Sequence, residues 1–268
     1  MSPSWRDRIE IFLAPDRVDL TRIARGLRPK PGLAHAQTCD AGANQGDWRP
    51  AVDALRGALA SLAWRNADAR VTLSHHFVRL ALVPGVRAAA NGEERLELAR
   101  HQLRTIYAER ADAWQVTLGE AGAGAGIVAA IDRELATALR DALAPASIAL
   151  VAMKPFLADA FNSARAVLGS DAAWLAVAEP GRVCVAHLEG ARWTALRSQR
   201  AVEPLAEALA AALEQTRLAS GIEAMGEVCL VTRDPAPADL VRAGDWTVRT
   251  LTARVAGESV SRTGAAAA

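Results

Sequence analysis

The sequence predicts an α/β protein built from two halves on one plan. Three observations carry that reading. Short apolar strands alternate with amphipathic helices along most of the chain. The order of three strands, helix, strand, helix, strand closes the second half. The first half opens in the same order, then breaks off and later resumes, so a block of strand, helix, strand and strand reads as an insertion into the first copy.

The elements follow in turn. Arg8–Leu13 reads as a strand, Ala14-Pro15-Asp16 as a tight turn, and Arg17–Ala24 as the returning strand, with Val18, Leu20 and Ile23 apolar. Leu33–Cys39 is a third strand, and Asp40–Gly46 a polar loop. A helix follows with Pro50 in its first turn and Val52, Leu55, Leu59 and Leu62 on one face. Arg70–Leu73 is a strand. The block from Phe77 to Ile131 holds strand Phe77–Val83, helix Glu93–Glu109 with Leu96, Ala99, Leu103 and Ile106 in register, and strands Trp114–Leu118 and Ile127–Ile131. Asp132 caps a helix to Leu143. Ser147–Ala152 reads as a buried strand, and Lys154–Leu168 as a helix stopped by Gly169.

In the second half, Ala172–Ala178, Arg182–Leu188 and Arg192–Ser198 are strands joined at Pro180-Gly181 and Glu189-Gly190. Glu203–Ser220 is a helix with Pro204 in its first turn, Glu227–Val231 a strand, Pro237–Ala243 a short helix and Trp246–Leu251 the last strand. The expected organisation is a first half at 1–169 with its insert at about 75–131, a second half at 170–255, and a disordered tail at 256–268.

Bulk properties narrow the function classes. Of 268 residues, 51% are hydrophobic and 23% charged, as in a globular protein. Lys plus Arg (31) and Asp plus Glu (30) nearly cancel, which argues against nucleic acid or an anionic membrane as the main partner. Cys39, Cys184 and Cys229 lack the spacing of a disulfide framework or zinc site and read as reduced, packed thiols. The charged stretch Met1–Glu10 predicts no secretory signal, and the apolar runs are far below the ~20 residues of a membrane helix. The expectation is a soluble cytoplasmic protein.

Three stretches carry a family resemblance: the opening hairpin Ile9–Val18, the segment Val71–Leu80 leading to Val83-Pro84, and the helix Glu94–Tyr107 before Trp114. With the element order over about residues 8 to 252, the chain resembles the PilM, GspL and MshI group of actin-like assembly proteins of type IV pilus and type II secretion systems. The resemblance implies an actin-like fold of duplicated ribonuclease-H-like halves with a strand-helix-strand-strand insert in the first. It further implies a non-catalytic cytoplasmic scaffold, recruited to the inner membrane by holding a short cytoplasmic segment of a membrane protein there. GspL-type members carry a span of their own, and a sequence without one is expected to follow the PilM-like arrangement or to be a truncated form.

The same fold hosts ATPases and small-molecule kinases, and that reading is the alternative. There the turns of the two opening hairpins clasp the phosphates, which calls for an acid to organise Mg²⁺ and small residues whose N–H groups approach the phosphates. The candidates are Asp16 in the first turn and Glu179 and Gly181 in the second. Pro15 and Pro180 each remove a donor, large side chains follow Asp16, and Thr232-Arg233-Asp234-Pro235 replaces the glycines expected beside an adenosine. Neither ATP with Mg²⁺ nor any other cofactor is therefore expected, and Asp16 and Glu179 read as turn residues.

Other motifs carry less. Gly124–Ala129 matches the G-x-G-x-x-A dinucleotide form, but Ile127–Ile131 reads as extended, where the fingerprint needs a helix. His75 and His76 are adjacent on a strand end, point to opposite faces, and read as a turn with one exposed ring. His35, His101 and His187 are isolated. The seven tryptophans, Trp5, Trp48, Trp64, Trp114, Trp174, Trp193 and Trp246, read mainly as packing, with one or two available to a peptide groove. Arg192, Arg197 and Arg200 form a basic run beside Trp193, read as a solvated face or a partner-facing patch.

Overall fold

Two sheets of the same topology and a smaller third one organise the chain. The computed structural model describes residues 6–26, 30–42, 44–86, 89, 91–120, 125–169, 172–190, 192–223, 225–234 and 240–252. The first sheet has the order β3-β2-β1-β4-β8. Its strands are β1 (Asp7–Leu13), β2 (Arg17–Ala24), β3 (Lys30–Thr38), β4 (Ala67–Leu73) and β8 (Ala149–Pro155). β1, β2 and β3 are antiparallel, while β1, β4 and β8 run parallel. Parallel neighbours need crossovers, and α1 (Arg49–Ala58) and α3 (Arg133–Leu143) supply them.

The second sheet repeats the order as β11-β10-β9-β12-β14-β13. It holds β9 (Ala172–Glu179), β10 (Arg182–Glu189), β11 (Arg192–Arg200), β12 (Glu227–Thr232), the two-residue β13 (Arg242–Ala243) and β14 (Trp246–Thr252). Here α5 (Leu205–Ala219) is the crossover between β11 and β12. The insert is an antiparallel sheet β5-β7-β6 of β5 (Val78–Pro84), β6 (Trp114–Glu120) and β7 (Ala125–Asp132), with α2 (Gly92–Tyr107) between β5 and β6.

The packing follows from the side-chain alternation of strands. On β9, Trp174, Ala176 and Ala178 join a core with α5, while Leu175 and Val177 face the other way. That other face meets α4 (Phe156–Leu168), whose Phe156, Leu157, Ala160 and Ala164 also touch the core of the first sheet. One apolar cluster therefore runs from Ile9 and Leu55 through Phe156 to Val177 and Val231. Strands buried on both faces read as unbroken apolar runs, which is why β9, β10 and β12 were so clear in the sequence.

Four expectations are corrected. Helix α1 stops at Ala58, after Gly57, and the chain starts a new 3-10 turn at Leu62–Trp64 in which Ser61 accepts from the Ala63 N–H. Leu62 is thereby 71% exposed, and Trp64 is buried instead. Strand β8 is half-exposed because it is the outer strand of its sheet, with Val151 open to solvent. On α2 only Ala99 and Leu103 are buried and Ile106 is exposed, since a three-stranded sheet accepts a narrow stripe. Arg242–Ala243 is a strand paired to β14 and Leu240 and Val241 are not helical, while residues 237–239 of the expected helix lie outside the described residues. The tail at 256–268, Trp5 and Gly124 also lie outside them.

Phe156 tests the shared core, because it is fully buried and its ring packs edge-on to Phe12 at 5.5 Å. Phe156→Ala should lower the unfolding free energy by about 3–5 kcal/mol in urea denaturation, whereas Val151→Ala should stay within about 0.5 kcal/mol.

Candidate functional site

The carboxyl ends of β1, β4 and β9 bring three turns to one cleft between the two halves. Pro15 and Asp16 come from the β1–β2 turn, Glu179 and Pro180 from the β9–β10 turn, and Ser74 and His76 from the turn after β4. Loop residues Ala41 and Gln45 close one side. The enclosed space is ≈ 40 Å³, room for a water or two. Small-molecule sites hold roughly 300–1,000 Å³.

Glu179 is the buried charge of this cleft, its side chain 6% exposed. Its Oε2 accepts the His75 backbone N–H at 2.8 Å. The same oxygen lies 2.7 Å from His75 Nδ1, an ion-pair distance without hydrogen-bond alignment, and among the described residues His75 Nε2 has no hydrogen-bond partner. Burial pushes the Glu179 carboxyl up, but the His75 contacts and the Ser74 hydroxyl outweigh it and hold it below the usual carboxylate range. His76 Nε2 lies 2.9 Å from the Pro180 carbonyl. A carbonyl only accepts, so Nε2 carries the proton and donates. Burial lowers the His76 pKa, and the Pro180 bond offsets part of that. Both histidines are buried, at 1% and 4%, which corrects the expectation of an exposed ring.

A second fastening joins the first hairpin to the turn after β12. Arg17 pairs with Asp234, and Arg233 donates to Asp19 at 2.9 Å. The Arg233 guanidinium lies 4.1 Å from the centre of the Phe12 ring. Burial works against the charge on Arg17, and the bond to Asp234 with the charges of Asp19 and Asp16 more than restores it, so its pKa is raised. Cation–π contact adds about 0.5–2 kcal/mol here, and each part-exposed ion pair on the order of 1 kcal/mol or less.

The three candidate residues gather at this cleft but do different things. Asp16 lines it and its carbonyl accepts the Cys39 N–H at 2.8 Å. Glu179, read from sequence as a turn residue, is engaged with His75. Gly181 has φ +75°, a backbone conformation that favours glycine, and a Cβ there would meet only the movable amide end of Gln45, at 2.7 Å. Among the described residues no group of three or more His, Cys, Asp or Glu is placed to hold a metal ion. The described part of Gly124–Ala129 lies inside strand β7, and the next helix, α3, starts only at Arg133, past the motif. Cys184 and Cys229 are buried, and burial pushes their thiols up to about 12 and about 11, while Cys39 is raised less.

Sequence reasoning did not find the His75–Glu179 and Arg233–Asp19 contacts. The partners lie 104 and 214 residues apart, and only the duplication of the fold sets them side by side.

The two lowered pKa values make the cleft acid-sensitive. A group whose folded pKa is depressed stabilises the fold above its unfolded pKa and loses that contribution as pH falls through the folded value. For His76 the loss starts below roughly pH 6.5, for Glu179 below roughly pH 4.5. The expected outcome is a stability decline between about pH 7 and 5 that is shallower in His76→Gln, by at most ~1.4 kcal/mol per pH unit. Denaturant midpoints at pH 7, 6 and 5 check it, and equal slopes would refute it.

No family model matches the chain, and no curated protein matches it in sequence. Solved structures do match. A Bacteroides thetaiotaomicron protein of actin-like ATPase fold and unknown function covers 92% of this chain and 91% of its own, at TM-score 0.64 and 10% identity. The PilM–PilN type IV pilus biogenesis complex covers 85% and 82% at TM-score 0.65 and 13% identity. The cytoplasmic domain of EpsL, an inner-membrane component of the Vibrio cholerae type II secretion system, covers 91% and 90% at TM-score 0.57 and 11% identity. Among the described residues no helix is long and apolar enough to cross a membrane. The fold is the actin-like one, duplicated ribonuclease-H-like halves with an insert in the first, as the resemblance to PilM- and GspL-type proteins implied.

Proposed function

We propose that the chain is a non-catalytic cytoplasmic scaffold of a pilus or type II secretion-like assembly, binding a short segment of an inner-membrane partner. The observation that carries this reading is the filled cleft. The groups that could receive phosphates are spent on each other, Glu179 on His75, Arg17 on Asp234 and Arg233 on Asp19, and Gln45 presses on Gly181. The likeness to the PilM–PilN complex and to the EpsL cytoplasmic domain supplies the kind of assembly. On this reading the unit boundaries are those expected above, 1–169 with its insert and 170–255.

The segment would lie between the first-half core and the insert. β6 is an outer strand of the insert, bonded among the described residues to β7 alone, and carries half-buried Trp114, Val116 and Leu118. An unpaired edge offers main-chain bonds to an extended peptide, and flanking apolar side chains add selectivity.

Two measurements test the proposal. Millimolar Mg-ATP should leave the thermal midpoint unchanged, whereas a ligand at ~100 times its Kd would add about 2.7 kcal/mol and several degrees. Purified cytoplasmic segments of single-span pilus or secretion membrane proteins should be captured by the full chain, and capture of none would sink the partner assignment. A clear ATP shift lost in Glu179→Ala would instead favour the ATPase or kinase reading.

A further inference from the structure

Three arginines meet where the insert packs against the second half, and among the described residues none of them has an acidic partner. Strand register sets Arg182 of β10 directly opposite Arg200 of β11. Arg79 comes from β5, which packs against β11. Like charges facing each other across neighbouring strands destabilise a sheet. Burial adds to the cost, since Arg79 and Arg182 are half-buried while Arg200 is exposed.

What these side chains touch is neutral. Arg79 Nη1 donates to the carbonyls of His76 and Val78 at 3.0 and 3.3 Å, and its guanidinium lies 6.0 Å from the Trp114 ring. Arg182 Nη1 reaches the Ser198 hydroxyl at 3.4 Å, and its buried Nε has no hydrogen-bond partner. Burial disfavours the charge on Arg182 most, followed by Arg79 and Arg200, and Glu179 is the acid that favours it. Glu179 is already committed to His75. The cluster therefore carries more positive charge than its surroundings neutralise. Arg17, Arg22 and Arg233 elsewhere in the fold each have an aspartate.

We propose that Arg79, Arg182 and Arg200 form an oxyanion-binding site at this junction, taking a phosphate or a carboxylate. Planar guanidinium forks match both groups through paired N–H bonds, and an anion here would remove the mutual repulsion that the bare cluster bears. The anion has two sources, free phosphate or an acidic side chain of a docked segment. Only the second rests on the scaffold reading.

The test is a thermal-shift titration of the full chain at low ionic strength with sodium phosphate, with a triglutamate peptide, and with sodium chloride at matched ionic strength. The expected result is a rise of roughly 2–5 °C at ~10 times Kd for phosphate, triglutamate or both, above the chloride control. A response to phosphate alone identifies the free anion, and a response to triglutamate alone identifies a polypeptide carboxylate. The rise should vanish in Arg182→Gln and shrink in Arg200→Gln. Because Arg200 is exposed, its variant keeps the test decisive if the Arg182 variant folds poorly. Anion-free Arg182→Gln should be at least as stable as the parent, since a purely structural arginine would lose stability. No shift above chloride, or an equal shift in the variants, overturns the site. Anion binding without capture of any membrane-protein segment would keep the site and sink the scaffold, and capture without anion binding would do the reverse.

Discussion

The arrangement of the two halves depends on one buried carboxylate. Glu179 ends the central strand β9 with its side chain 6% exposed, and a charge so placed costs several kcal/mol unless it is paired. Its partners, the His75 N–H and ring, belong to the turn after β4 of the other sheet. That turn must therefore sit against the end of β9. The requirement fixes the height at which the two sheets meet, and with it the position of Pro180, whose carbonyl takes the His76 ring. The neighbouring ion pairs of Arg17 and Arg233 then fall within reach of their aspartates.

Much of this was legible before the fold was seen. The duplicated strand order, the hairpin turns and the capping by Asp132 are local patterns, and the structure has all three. Errors arose where burial depends on distant neighbours. Ser147–Ala152 is apolar enough for a buried strand, yet β8 lies at a sheet edge, with no strand pairing beyond it among the described residues. Leu62 has the right spacing for the α1 face, but Gly57 and Ser61 end the helix before it. At the site, the prolines and glycine of the turns could be read singly. The histidines could not, because their partner belongs to the other copy of the repeat.

The turn chemistry explains why the cleft is filled from within. A phosphate clasp relies on backbone N–H groups aimed into the gap, and Pro15 and Pro180 provide none. With fewer donors, the gap is closed by side chains instead: the Gln45 amide beside Gly181, the His76 ring on Pro180, and the Arg233 plane on Phe12. Each is a modest contact, and together they occupy space that an empty cleft would leave to water. His75 Nε2 shows the cost of the arrangement, a buried nitrogen without a partner among the described residues, worth about 1–3 kcal/mol.

Opening this cleft would also break the core. The apolar cluster runs without interruption from Ile11 and Phe12 through Phe156 to Leu175 and Val177, all at 3% exposure or less. Parting the halves at α4 would expose several such side chains, at roughly 1.5–3 kcal/mol each when fully bared. The ion pairs across the cleft would add little to that sum. The apolar wedge, rather than the salt bridges, therefore sets the stiffness of the closed form. A ligand that must enter between the halves works against this energy. One that binds along the outer strands of the insert, or at the arginines beside β11, leaves the wedge untouched, so the energetics favour the periphery of this fold over its centre.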